Sequence, residues 1–437
     1  MTELKSLPRY GEYKDSGVEW IEKRPSHWCP MKLKFLLKEV NERSDTGKEE
    51  LLSLSKYKGV VKKSSLEERA GQAESLIGYK KVKAGQLVIN KMQAVNGLLS
   101  VSKIDGITSP DYSVYKESDI NNLNISYLDY LLSQPELLGE FKKRVTGVME
   151  GFIRLYTDDL YDIKITLPTI TEQTAIANYL DKKAAKIDQA IAIKEKQIAL
   201  LKERKQTIIQ NAITRGLNPD APMRESGVEW IGKIPEHWKM RRLKFVVKIK
   251  KRIIRHEGPD VLSITQQGIK IKDIESGEGQ LAMDYSKYQI LNKGEFAMNH
   301  MDLLTGYVDI SQYYGVVSPD YRVFVNVSRD ISDKYLLGMF QMGYQQKIFY
   351  RYGQGVSLLG RWRLPADNFN NFYMPIPPDS EQEMIMKYIE TESVKVEAGI
   401  HLQEKQIKKL KEYKTILINS AVTGKIKVPG VDEKQVA

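Results

Sequence analysis

The chain has 437 residues, too many for one ordinary domain and enough for two or three. An apolar content of 41% can fill a real core, and no run of 18 apolar residues exists to form a membrane-spanning helix. The lone Cys29 excludes an internal disulfide. With an N-terminus that lacks the apolar core of a secretion signal, it points to a reducing cytoplasm, and the net charge of +11 suits a polyanionic partner such as nucleic acid.

In chain order, SGVEWI (16–21) and RPSHW (24–28) form an entry segment in which Trp20 and Trp28 read as anchors of the fold. Short β-type runs follow at 51–55, 84–90 and 98–103, then an alternating strand at 112–116 after a Ser-Pro-Asp turn. One short helix is expected over 125–141. After Pro168, Thr171 is the expected N-cap of a long helix from about Glu172 to Thr214, stopped at Arg215-Gly216. The second half repeats the series, with Trp230 and Trp238 as anchors. Strands are expected at 261–265, 293–299, 307–312 and 321–327, and a short helix over 333–349. Ser380 is the expected cap of a second long helix from about Glu381 to Thr423, stopped at Gly424. About 43 residues at 1.5 Å rise make each a rod of roughly 65 Å.

The halves match motif by motif. SGVEWI returns at 226–231, RPSHW as IPEHW at 234–238 and LKF (33–35) at 243–245, all at an offset of 210. One deletion later the offset is 209: INKM (89–92) matches MNHM (298–301), TSPDYSVY (108–115) matches VSPDYRVF (317–324), and GFIRL (151–155) matches GRWRL (360–364). The LP…EQ phrase at 167–173 recurs at 376–382, and LKERKQTIIQNAITRG (201–216) as LKEYKTILINSAVTGK (410–425). Between these motifs the halves diverge freely. The pattern is a tandem duplication with a shared scaffold and variable insertions, a covalent pseudo-dimer.

Both long helices carry heptads. The seam of the first is Leu180, Ile187, Ile191, Ile198, Leu201 and Ile208; that of the second is Ile389, Val396, Ile400, Ile407, Leu410 and Leu417. Polar interruptions fall at equivalent places, Lys194 with Gln403 and Lys205 with Lys414. These patterns suit pairing of the two helices within the chain, with intermolecular pairing as the alternative.

No catalytic motif stands out. There is no Asn/Asp-Pro-Pro-aromatic motif of amino-methyltransferases, no glycine-rich nucleotide loop, and no histidine among His27, His237, His256, His300 and His401 at metal-ligand spacing with another or with Cys29. Pro110-Asp111 with Glu117 looks faintly like a nuclease site, but the second copy has Asn326 where the acid would be, so Ser-Pro-Asp reads as a turn.

The ordered set of SGVEWI, (R/I)P-x-HW and LKF, then LP…EQ leading into a long helix, resembles the specificity subunits of type I restriction–modification systems in both copies and over almost the whole chain. The resemblance implies an α+β fold: two similar mixed α/β target-recognition domains (1–167 and 218–376) separated by two long antiparallel coiled-coil helices (168–217 and 377–425), with a tail at 426–437. It implies that each domain reads half of a split double-stranded DNA target and that the helices set the gap. Two modification subunits would bind S-adenosylmethionine and methylate adenine; two restriction subunits would add ATP- and Mg-dependent translocation and cleavage. This chain would carry no catalytic, cofactor or metal site. Two other readings stay open: a self-contained DNA-modifying enzyme with unrecognised motifs, and a coiled-coil adaptor without DNA contact.

The candidate DNA readers are polar and basic residues in matched loops where a strand ends and the halves diverge. In the first domain these are Lys56, Tyr57, Asn90, Lys91, Gln93 and Arg154; in the second, Gln266, Gln267, Asn299, His300, Arg361 and Arg363. Asn and Gln can pair with adenine edges, and Arg and Lys with guanine or phosphate.

Overall fold

The computed structural model describes residues 7–431 except 57, 67–74, 119–121, 146–152, 257, 276–281, 283 and 356–361. The chain divides into two units whose boundaries fall inside the long helices. One comprises 1–194 with 405–437, the other 195–404.

The centre of the first unit is a four-stranded antiparallel sheet in the order Leu37–Val40, Tyr112–Glu117, Leu87–Asn90, Leu99–Val101. The second unit has the same sheet at the repeat offset: Val247–Lys250, Arg322–Asn326, Phe296–Met298, Val308–Ile310. Two further hairpin-like pairs recur in each unit, Leu52–Ser55 with Gly59–Lys62 and Lys80–Val82 with Gly106–Thr108 in the first. The Ser-Pro-Asp segments are turns in both copies, closed by the Tyr112 and Tyr321 N–H groups donating to the Ser109 and Ser318 carbonyls.

Each expected short helix is two. The first breaks between Ile125–Leu132 and Pro135–Arg144, because Pro135 has no N–H to continue the ladder and instead opens a new first turn. The second breaks at Lys347, whose φ of 54° interrupts the helix between Asp333–Gln345 and Ile348–Arg351. The long helices run Ile170–Arg215 and Asp379–Val422. They therefore start one residue before their expected caps, and Thr171 and Ser380 lie inside the first turn. Thr169 takes the capping role in the first, its hydroxyl accepting from the Glu172 N–H.

The roots of these helices explain the matched motifs. Glu172 is buried; its carboxylate accepts from the Trp28 indole at 3.0 Å and the Tyr10 hydroxyl at 2.5 Å, and pairs with His27 at 2.9 Å. Glu381 does the same with Trp238 at 2.9 Å and His237 at 2.6 Å. The neighbouring glutamines are equally committed. Gln173 donates to the Pro168 and Asn122 carbonyls and accepts from the Asn124 N–H; Gln382 donates to Pro377 and Asp330 and accepts from Ser332. Asn124 and Ser332 are the N-caps of the short helices that follow. The HW and EQ motifs are therefore one structural joint.

The same joint receives a helix end. In the second unit Gly216 stops the first long helix in the left-handed region, φ 74°, and a Cβ there would come within 3.0 Å of Trp238. In the first unit Gly424, also at φ 74°, stops the second long helix against Pro25 and Trp28, where a Cβ would come within 2.5 Å of the proline ring. The buried Tyr127 and Tyr335 hydroxyls donate to the last-turn carbonyls of Val422 and Ile213. Burial drives both phenols well above their ordinary range, so they stay protonated donors. The C-terminal stretch continues into the first unit's core: Ile426 and Val428 are buried, and the Lys427 N–H donates to the Pro8 carbonyl.

The helices pair antiparallel within each unit. In the first, Lys414 bonds Asp188 at 2.7 Å and Lys194 bonds Gln406. In the second, Lys205 pairs with Glu397 at 2.6 Å and Leu201 lies against Gly399. The lysines that interrupt the heptads thus reach partners on the facing helix. Leu180, Ile187, Ile191, Ile389, Val396 and Leu417 are buried, and Ile198, Leu201, Ile208, Ile400, Ile407 and Leu410 are half-buried. Off the seam, Ile193, Leu200, Val394 and Leu402 are exposed.

Because Ile426 and Val428 complete the first unit's core, the double substitution Ile426→Ala, Val428→Ala is expected to destabilise that unit by about 3 kcal/mol. Hydrogen exchange should show protection lost around Trp28 and Tyr127 and retained around Trp238 and Tyr335.

Candidate functional site

In each unit the central strand ends in an asparagine turn at the site where the sequence places its candidate readers. In the first, the Asn90 side-chain oxygen accepts from the Met92 N–H at 3.1 Å while its own N–H donates to the Leu98 carbonyl. In the second, Asn299 accepts from the Met301 N–H at 3.3 Å, and its carbonyl receives the Tyr344 hydroxyl at 2.7 Å. An Asx turn of this kind lets the chain leave the sheet sharply. Asn90 is buried and Asn299 half-buried, so both amides shape the turn.

A second segment is tied to each turn by a backbone bond. The Leu155 N–H donates to the Lys91 carbonyl at 3.0 Å, and the Leu364 N–H to the His300 carbonyl at 2.8 Å. The matched GFIRL and GRWRL motifs owe their retention to this tie, which brings Arg154 beside Lys91 and Arg363 beside His300. Gln93 is exposed, and its side-chain oxygen accepts from Asn96 at 2.7 Å. Lys56, Gln266 and Gln267 are exposed on another feature, the tips of the Leu52–Lys62 and Leu262–Ile271 hairpins. Those tips lie on the return strands: Gly59 sits against Ser100, and the Ile269 N–H donates to Asp309 at 3.1 Å. Tyr57 and Arg361 lie outside the described residues.

Beneath the turns the two units differ in charge. In the first, Ser113 donates to Glu39 at 3.2 Å, Thr157 donates to the other oxygen at 2.8 Å, and buried Lys80 lies 3.7 Å from the same carboxylate. Burial lowers the Lys80 ammonium, as do Lys91 and Arg43 nearby, with Glu39 opposing. In the second unit the sheet register puts Arg322 where the first has Ser113, and Ile249 where it has Glu39. Arg322 is buried; its guanidinium donates to the Leu364 carbonyl at 3.1 Å and lies 4.4 Å from the Phe369 ring centre. Burial lowers it to about 10, so it remains a cation at neutral pH. His300 is buried above it. Desolvation, then the charges of Arg322 and Arg363, hold its imidazole down to about 3, so it is neutral.

The sequence reading missed Arg322, Glu39 and Lys80. They sit inside segments that read as core strands, and the signal that exposes them is the exchange of Ser113 for Arg322 between otherwise matched copies. A cavity of about 410 Å³ adjoins the second turn, lined in part by Asn299, Asp302, Lys272 and Tyr321. Among the described residues no cluster of three or more His, Cys, Asp or Glu side chains could hold a metal ion, and no helix is long and apolar enough to cross a membrane.

Comparison with known proteins gives likenesses of one kind. The chain is 24% identical over 325 residues to the type I restriction enzyme MjaVIII specificity subunit of Methanocaldococcus jannaschii, a match covering 70% of this chain and 71% of that one. It is 23% identical over 318 residues to the MjaX specificity subunit of the same organism, covering 70% and 69%. Among solved structures, a chain from a study of complex assembly and conformational transition in a type I restriction–modification system shares its fold, with a TM-score of 0.64 at 13% identity, over 92% of this chain and 99% of that one. No family model matches. The chain is thus similar to type I specificity subunits, and the α+β fold with two long packed helices expected from the sequence is the fold found.

The depressed His300 pKa carries a stability cost in acid. Below pH 6.5 the unfolded chain takes up a proton that the folded chain refuses until about pH 3. Stability should therefore fall with pH across that window, by up to about 1.4 kcal/mol per unit. Urea unfolding of wild type and His300→Gln at pH 7, 6 and 5 checks this: the wild-type loss on acidification should exceed that of the variant.

Proposed function

We propose that this chain is the DNA-sequence-specificity subunit of a type I restriction–modification enzyme, each unit reading one half of a bipartite double-stranded target. The observation that carries the reading is the duplicated α+β unit, joined motif by motif to two long helices and similar over most of its length to type I specificity subunits. Reading two short sequences at once requires two readers held at a fixed distance and rotation along the duplex. Helices of 46 and 44 residues, cross-linked by Lys205–Glu397 and Lys414–Asp188, have the stiffness for that task. In this reading they set the spacing between half-sites. The net charge of +11 supplies sequence-independent attraction to phosphate, and the turns at Asn90–Gln93 and Asn299–Met301 supply the base-reading surface.

The chain works in the cytoplasm and contributes no catalytic group, metal or cofactor. Two modification subunits carry S-adenosylmethionine and methylate adenine; two restriction subunits carry ATP and Mg. The apolar residues left exposed on the helices, Ile193, Leu200, Val394 and Leu402, offer these partners a surface.

Methylation mapping of DNA from a host carrying this chain with its methyltransferase partner should reveal one bipartite, adenine-methylated motif. Exchange of residues 36–165 for those of another such chain should change one half-site alone; a change in both, or in neither, rejects the assignment. Purified chain alone should show no turnover with S-adenosylmethionine or Mg and DNA, and turnover would favour a self-contained enzyme. Four residues inserted into one long helix add about 6 Å of rise and should alter the recognised gap or abolish assembly. Unchanged specificity would count against the helices as a ruler.

A further inference from the structure

The second unit buries a cation to which the described residues supply no neutralising acid. Arg322 is 6% exposed, and among the described residues its Nη1 has no hydrogen-bond partner. The Nδ1 of His300, 7% exposed, has none either. Arg363 stands exposed next to them, its charge felt at both groups. Among the described residues, no carboxylate stands among the charges that act on Arg322 or His300. A buried charge and two orphaned polar atoms within one cluster are costly unless a partner arrives, and native proteins keep few of them.

The first unit shows what a self-contained version of this position looks like. There Ser113 replaces Arg322 and bonds Glu39, and Lys80 faces the same carboxylate. Charge and hydrogen bonds balance inside the protein, whereas the second unit leaves the balance open on the anionic side.

We infer that Arg322, His300 and Arg363 form a seat for one phosphate of the DNA backbone, specific to the second unit. The inference rests on the DNA-reading function proposed above. Geometry favours phosphate over a base edge. Arg322 engages its Nη2 on the Leu364 carbonyl and is stacked on Phe369, so of its two terminal nitrogens only Nη1 is left without a partner among the described residues. Guanine readout uses the two-pronged fork at O6 and N7. One fixed guanidinium nitrogen, one imidazole nitrogen and an exposed guanidinium suit the several oxygens of a phosphate instead. Such a contact positions the duplex against the Asn299 turn without itself reading sequence.

The test is the salt dependence of DNA binding by the full chain with its methyltransferase subunit. It uses the bipartite site and a duplex with the second half-site scrambled, comparing wild type with Arg322→Gln and Arg363→Gln. Loss of one phosphate contact should weaken binding to both duplexes by a similar factor, and make the slope of log affinity against log salt shallower by about 0.9. An unchanged slope, or a loss confined to the intact site, overturns the phosphate seat. Thermal melting identifies any variant that fails to fold. Should Arg322→Gln melt, the exposed Arg363→Gln decides alone by the same criterion. Failure of the wild-type complex to prefer the bipartite site would reject the DNA-reading function, a result separate from an unaltered slope in the variants.

Discussion

Each long helix enters its unit through a glutamate whose carboxylate is held by the preceding His-Trp pair, and the rest of the architecture depends on that joint. Glu172 is held by Trp28, Tyr10 and His27, and Glu381 by Trp238 and His237. A carboxylate withdrawn from water is tolerable only when its oxygens are satisfied, so the joint holds this residue in the first turn of the helix. The adjacent glutamine then fixes the cap of the short helix, which lies on the central sheet. Sheet, short helix and long helix are aligned by two side chains.

The joint also decides where a helix ends. Gly216 closes one helix on Trp238 and Gly424 closes the other on Trp28, each in a left-handed conformation with no room for a side chain. Each unit is therefore assembled from the start of one long helix and the end of the other. The first draws its closing segment from the far end of the chain, and Ile426 and Val428 fill its core. Division of the chain at the middle of the helices, not at their ends, follows directly. Antiparallel pairing puts the start of one beside the end of the other.

Much of this was legible in the sequence because the duplication supplies an internal comparison. SGVEWI, HW and LP…EQ recur at offsets of 210 and 209, each long helix ends at a glycine, and the strands between them alternate as strands should. Heptad spacing located the residues that the helices turn inward. What spacing could not supply was partnership across distance. Nothing local in Glu172 says that it belongs to Trp28, 144 residues earlier. The true helix starts were missed for a related reason: Thr171 and Ser380 look like caps, but the tertiary tie of the following glutamate and glutamine sets the register. The break at Pro135 was written in the sequence and passed over, whereas that at Lys347 rests on a backbone conformation with no sequence mark. At the candidate site, sequence found the asparagine turns and the arginines tied to them. It grouped the hairpin-tip residues Lys56, Gln266 and Gln267 with them, although they stand on a separate hairpin.

The contrast between copies separates scaffold from specialisation. The His-Trp pair, the glutamate and the glutamine of the joint are the same in both, because a change at any one would orphan several polar groups at once. On the strands beneath the turn, Ser113 with Glu39 in one copy corresponds to Arg322 with Ile249 in the other. Both solutions fit the same four-stranded sheet, since the exchange replaces an internally neutralised set with an open cationic one and leaves the backbone register intact. A duplicated fold can therefore change what its turn offers to a ligand without disturbing the helices that position it. The sites free to diverge are those whose bonds stay within the turn and its tied segment, and the sites held fixed are those whose bonds cross from helix to sheet.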